Sequence, residues 1–219
     1  MQHFSITVSF LLVGSLMATT PLNLHISYHS GYDSNVMRFS LKEIENIVEN
    51  RDLMGGANTF DSYINKINTR LQKTIFEIDK KELSLSSSFN LSSYAHNPNK
   101  SYWSGNFSTV YKWGSYRNLK YSLRHLNSYY LRHYTNRDVS TNSLRPCYFS
   151  DRDQIVSLTM PIRNRFWYSI GAGYLQRYYD NSFTEFDLDI VYYKAKLNYK
   201  IKKIGNVALQ VNHGRAVNE

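Results

Sequence analysis

From Leu83 to Val211 apolar and polar residues alternate in stretches bounded by turn formers. In Leu83–Leu91 one parity carries Leu83, Leu85, Phe89 and Leu91, and the other Ser84, Ser86, Ser88 and Asn90. A strand sends successive side chains to opposite faces, so this segment predicts a ribbon with one apolar and one polar face. The pattern recurs in Trp103, Gly105, Phe107, Thr109, Tyr111 and Trp113, and in Leu119, Tyr121 and Leu123 against Lys120, Ser122 and Arg124. It returns in Val156 to Ile162, in Phe166 to Tyr174 with Ser169, Gly171 and Gly173 opposite, and in Val207 to Val211. Upstream, Leu24, Ile26 and Tyr28 alternate with His25, Ser27 and His29, and the run continues to Met37 and Phe39. Between Phe186 and Ile201 the apolar parity moves by one residue after Tyr193, from Leu188, Ile190 and Tyr192 to Ala195, Leu197 and Tyr199. That shift predicts a bulge in one long strand.

Two segments read differently. Ser40 with Glu43 three residues later forms a capping box, and Leu41, Ile44, Ile47 and Val48 follow a helical period, so a short helix is expected inside a long connection over 41–59. In 60–78, Tyr63, Ile67, Leu71 and Ile75 recur every four residues, which suits a strand face or a helix; the flanking strands favour a strand. The connections then alternate. Those around Asp79–Glu82, Gly114–Asn118, Arg163–Arg165 and 202–206 are short. Those at 41–59, Ala95–Ser101, 135–151 and Tyr179–Ser182 are generally longer. Short turns at one end and longer loops at the other are what an outer-membrane barrel needs, and only alternate residues of such strands face lipid. The expected fold is therefore all-β: an antiparallel up-and-down transmembrane β-barrel over residues 19–219. About nine strands are expected where single-chain barrels have even numbers, and Asn212–Glu219 is polar without a terminal aromatic, so the barrel is expected to be incomplete at its C-terminus. Trp113, Tyr116, Phe166 and Trp167 near the short turns are candidates for an interfacial aromatic girdle.

Residues 1–18 read as a secretory signal. Phe4 to Ala18 is uncharged, Phe10 to Val13 with Leu16 and Met17 form an apolar stretch, and Ala18 is the candidate cleavage residue. The segment before Phe4 lacks Lys or Arg, and Leu16 departs from the small residue usual two before a cut, so a buried N-terminal strand or short membrane anchor is the competing reading.

The chain carries a formal charge of +9, and none of the excess lies in residues 1–18. A basic balance favours anionic partners. The cations are dispersed on the polar parity of strands, which points to a charged lumen or rim rather than to nucleic acid. Lys66, Arg70, Lys112, Lys120, Arg124 and Arg177 are the candidate lumen-lining residues, giving an anion preference. Cys147, the one cysteine, has no partner for an intrachain disulfide and reads as an incidental loop residue. No Gly-x-Ser-x-Gly elbow, His-Glu-x-x-His, phosphate loop or Cys/His metal set occurs, so no catalytic residue, metal or cofactor is assigned. Glu185, Asp187 and Asp189 alternate near a loop and read as a solvated acidic strip.

The pattern as a whole, with Gly31-Tyr32-Asp33-Ser34-Asn35-Val36 opening the first strand, resembles outer-membrane β-barrel proteins of Gram-negative bacteria. A Gly-Tyr-Asp-x-Asn start is similar to those of several barrel groups, including the barrel part of surface lipoprotein assembly modifiers. The helical repeat domain that precedes the barrel in those modifiers is absent from this sequence, so their function does not carry over. The resemblance implies residence in the outer membrane and contact with its lipid; the leading expectation is a non-enzymatic channel, small-solute pore or surface-structure component whose basic lumen favours small anionic solutes. A barrel enzyme hydrolysing lipid or peptide, and a soluble secreted β-protein binding acidic glycans, are the alternatives.

Overall fold

A computed structural model describes residues 3–12, 21–49, 51–136, 143–201 and 204–218. They form one ten-stranded sheet in which each strand pairs with its sequence neighbour, and every pairing is antiparallel. The strands are β1 (His3–Leu12), β2 (Leu22–Asp33), β3 (Ser62–Ile78), β4 (Lys81–Tyr94), β5 (Tyr102–Gly114), β6 (Arg117–Asn136), β7 (Ser143–Arg163), β8 (Phe166–Tyr179), β9 (Leu188–Ile201) and β10 (Gly205–Asn218). From β2 onward the strands are those the alternation predicts, and the ambiguous 60–78 segment is a strand. The sheet is open: the order runs from β1 to β10 without joining its ends. The expected cleavage residue Ala18 lies outside the described residues, while His3–Leu12 of the expected leader pairs with β2.

From β2 onward connection lengths alternate along the sheet. Asp79 and Lys80 both have positive φ, at 48° and 67°, the backbone of a two-residue hairpin whose twist matches its strands. Tyr116 and Arg165 adopt the same region, at 57° and 74°, in the β5–β6 and β7–β8 turns. At the opposite end lie the longer connections. The largest holds helix α1 (Leu41–Glu49), and its capping box forms as the sequence predicts. The Ser40 amide donates to Glu43 Oε2 at 2.8 Å, and the Glu43 amide donates to Ser40 Oγ at 3.3 Å. Donation to the carboxyl from the Ser40 amide and, at 2.9 Å, from its hydroxyl holds Glu43 below its ordinary range.

The packing is inverted relative to a soluble sheet. Paired residues share a face, so the register assigns every strand position to one side. One face carries Tyr28, Ile67, Phe89, Phe107, Leu119, Val156, Ile170, Val191 and Leu209, all exposed. The other carries Ser27, Ser84, Ser92, Ser108, Asp151 and Asn198, all buried beneath their longer neighbours. The buried apolar cluster lies away from this lattice, at the long-connection end. There Val36, Met37, Phe39, Ile47 and Met54 from the β2–β3 connection pack on Tyr130, with Ile64, Tyr94 and Tyr148 alongside. The connection is thereby a cap on the sheet rather than a free loop.

Several expectations need correction. No bulge interrupts β9, whose register with β8 and β10 is continuous. Leu188, Ile190 and Tyr192 therefore share the face of Lys194 and Lys196, while Val191, Tyr193, Ala195 and Leu197 form the apolar face. Pairing with the small residues of β8 fixes this phase, Gly173 standing opposite Tyr192 and Ala172 opposite Tyr193. The segment 135–151 is mainly strand, since β6 runs to Asn136 and β7 starts at Ser143. Its polar surface hides apolar anchors: Cys147 and Phe149 are buried, and Phe149 packs on Tyr129 and Tyr179. β2, the first strand the alternation predicts, ends at Asp33 instead of continuing to Phe39, because Asn35 clamps the Phe39 backbone, its Nδ2 donating to the carbonyl and its Oδ1 accepting from the amide. Trp167 falls on the polar-parity face opposite Asn198, where it stacks on Tyr116 at 4.2 Å; Phe166 alone of that pair joins the apolar face, beside Tyr199. Glu185 lies in a 3₁₀ turn and Asp187 accepts from the Tyr179 amide at 2.6 Å, so with Asp189 they form no common strand face.

Candidate functional site

The polar face is the surface on which the sequence-predicted residues converge. Lys66 and Arg70 come from β3, Lys112 from β5, Lys120 and Arg124 from β6, and Arg177 from β8. The register places all of them on the face that also holds the buried serines. Two are neutralised by neighbours. Arg177 grips the nearly buried Asp151 through two parallel bonds, Nε to Oδ1 at 2.8 Å and the second guanidinium nitrogen to Oδ2 at 2.9 Å. Its guanidinium also lies 4.3 Å above the Phe149 ring. Lys112 donates to both Glu82 oxygens at 3.1 Å. Lys66, Arg70, Lys120 and Arg124 form no ion pair among the described residues and stand exposed.

Arg124 owes its freedom to its neighbours. Its cross-strand partner is Asp153, which would ordinarily pair with it. Asp153 instead accepts a 2.6 Å hydrogen bond from the Tyr192 hydroxyl, across the intervening strand β8. The Tyr192 ring crosses β8 over Gly173, where a Cβ would lie only 2.2 Å from Tyr192 Cζ. Glycine is required there by close approach, not by backbone angle. The Tyr192 hydroxyl holds Asp153 Oδ1, and no ion pair joins Asp153 to Arg124 among the described residues.

Sequence reasoning passed over Lys194 and Lys196, which share this face on β9, with Lys194 Nζ 4.7 Å from the Tyr192 ring. Their parity was readable, since Ala195, Leu197 and Tyr199 alternate with them. Tyr192 was assigned to the wrong face by the expected bulge, and its reach to Asp153 had no local signal.

A second group of titratable side chains lies at the capped end. A cavity of about 590 Å³ is lined by Ile47, Arg51, Asp52, Met54, Gly55 and His133 among others. His133 Nδ1 is 2.7 Å from the Tyr130 hydroxyl, and Gly55, at φ 63°, leaves the space that these two groups occupy. Burial holds the His133 ring below its ordinary value, opposed only by nearby Asp52. Lys100 donates to the carbonyls of Tyr130 and Leu131, at 3.4 and 3.0 Å, and burial with nearby Arg132 and Arg38 draws its ammonium down to about 8. Arg132 pairs with Glu43 at 2.9 Å, tying α1 to β6. Cys147 of β7 is buried, and burial, with Asp180 and Glu185 adding to it, pushes its thiol up to about 11. Such a thiol is a poor nucleophile at neutral pH.

Among the described residues no cluster of His, Cys, Asp and Glu could hold a metal ion, and no helix is long and apolar enough to cross a membrane. The chain matches no family model, no curated protein and no solved structure.

Proposed function

We propose that this chain is a non-enzymatic outer-membrane β-barrel protein, exported by residues 1–18, whose polar face lines a basic lumen accepting small anions. The observation that carries the reading is the inversion of burial. Leu, Ile, Val, Phe and Tyr side chains stand exposed along one face of the strands, while Ser, Asn and Asp are buried on the other. In water an apolar surface of that extent would be an aggregation hazard. In a bilayer it is the surface that contacts hydrocarbon. The alternation of short turns with longer connections supports the same reading. Closure requires a partner for each edge of the open sheet, because lipid leaves no unpaired backbone group hydrated.

The test is production with the native leader, followed by fractionation and reconstitution. Recovery from detergent-solubilised outer membranes, heat-modifiable migration and β-rich circular dichroism are expected. In liposomes the protein should pass chloride more readily than potassium. Recovery as a soluble protein without detergent would overturn the membrane reading, and a folded, inserted protein that passes no ion would overturn the channel.

A further inference from the structure

The basic face holds its cations in a specific arrangement. Following the register across β3, β4, β5 and β6, one row reads Arg70, Ser88, Asn106, Arg124. The two guanidinium-bearing positions are three strand steps apart, roughly 14 Å at about 4.8 Å per step. The two positions between them carry short hydrogen-bonding groups. A simple anion relay has no need of that gap, because steps between cations favour closely spaced sites.

The gap is not inert. Asn106 Oδ1 accepts from Ser122 Oγ at 3.1 Å, which turns the Asn106 NH₂ group away from that bond. Ser88 is half-buried and makes no side-chain bond to another described residue. The row thus presents charge at each end with an amide donor and a hydroxyl between them. Both ends are available: Arg70 and Arg124 lack ion-pair partners among the described residues, and Tyr192 holds the Asp153 carboxylate that would otherwise claim Arg124.

We infer that the ligand of the basic face is an acidic oligosaccharide, bound with its anionic groups on Arg70 and Arg124 and its ring hydroxyls on Ser88 and Asn106. The assignment rests on the basic-lumen reading and names its substrate class. Guanidinium forks match carboxylate and phosphate geometry. Sugar hydroxyls both donate and accept, which is the complement of a serine hydroxyl and an amide. A neutral sugar would leave both arginines unused, and a small compact anion could not span them.

The experiment has two arms on the full-length protein in detergent and in planar bilayers. Calorimetry compares a trigalacturonate, a triglucose bearing a phosphate at each end, maltotriose and citrate. Block of chloride current is measured with the same compounds. Both acidic trisaccharides are expected to bind at least about tenfold more tightly than maltotriose or citrate; the stronger of the two tells carboxylate from phosphate. Arg70→Gln and Arg124→Gln should each abolish the preference. Ser88→Ala and Asn106→Ala, mild changes that keep the strand, should bring the acidic trisaccharides to the level of citrate. Tyr192→Phe should weaken acidic-saccharide binding by freeing Asp153 to pair with Arg124. Equal binding of citrate and the acidic trisaccharides, or binding unmoved by the Arg variants, would overturn the inference. Binding without current would retain it and remove the channel instead.

Discussion

At the level of single residues, the contact between Gly173 and Tyr192 couples stability to the electrostatics of the polar face. A methyl at position 173 would lie 2.2 Å from Tyr192 Cζ and 2.5 Å from its hydroxyl oxygen, so the ring, held by its bond to Asp153, would have to move. Gly173→Ala should therefore destabilise the folded protein by about 1–3 kcal/mol, as overpacked sites do, read as a shift in the urea midpoint in micelles. An unchanged midpoint would show that the ring is free to swing away. His133 supplies a second expectation with a definite sign. Burial lowers the folded value below the ordinary 6.5, so folding disfavours the protonated ring. The stabilisation of the cap is then complete above pH 6.5 and is lost as pH falls below it. Limited proteolysis of the 34–61 connection should accelerate at pH 5 relative to pH 7.5, and His133→Asn should flatten the difference. Cleavage that slows on acidification would contradict the sign. Neither contact was legible in the sequence. Glycine in a strand signals a close approach, but the residue that approaches comes from the next strand, inside a run that is apolar on both parities.

Strands carry the part of the fold that alternation encodes best. Where polar and apolar residues strictly alternate, as in Leu83–Leu91, the register puts them on the faces expected. Reading fails where both parities are apolar. Leu188 to Tyr193 offers Leu188, Ile190 and Tyr192 on one side and Val191 and Tyr193 on the other, and only the pairing with β8 chooses between them. It failed also in 135–151, where polar letters outnumber the few anchors that continue the β6–β7 hairpin, and β6 accommodates bulges on either side of Tyr129 and Tyr130. The capping box succeeded because its chemistry is local and needs no partner from elsewhere. The continuous register of β9 makes a sharp prediction. Nitroxide labels at Val191 and Tyr193 should be accessible to oxygen dissolved in lipid, whereas labels at Leu188 and Ile190 should respond to a water-soluble nickel reagent. The opposite result would restore the bulge.

For the whole molecule the unsettled energetic question is the edge. Among the described residues β10 presents its outer backbone groups to no strand, and its apolar side chains Val207, Leu209, Val211 and Val217 are exposed. Each unpaired amide in hydrocarbon costs several kcal/mol, so an inserted sheet cannot tolerate a fourteen-residue open edge. Direction constrains how the edge is satisfied. Strands alternate in direction, so β1 and β10 run antiparallel to each other, whereas β2 and β10 run the same way. Antiparallel closure therefore needs an even number of strands in the ring, whether they come from one chain or from two. In the bilayer, amides of β10 pointing away from β9 should exchange with deuterium as slowly as those bonded to it. In detergent-free urea, where the sheet is unfolded, both sets should exchange together. The mass of the protected species then names the partner: a monomer closing antiparallel on its own chain must retain β1, whereas a chain without residues 1–18, whose β2 runs the same way as β10, is expected to close on a second copy as a dimer. Fast exchange along the outer side of β10 in a membrane-inserted sample would mean that hydrocarbon does not surround this edge, and the inverted burial would need a different solvent to explain it.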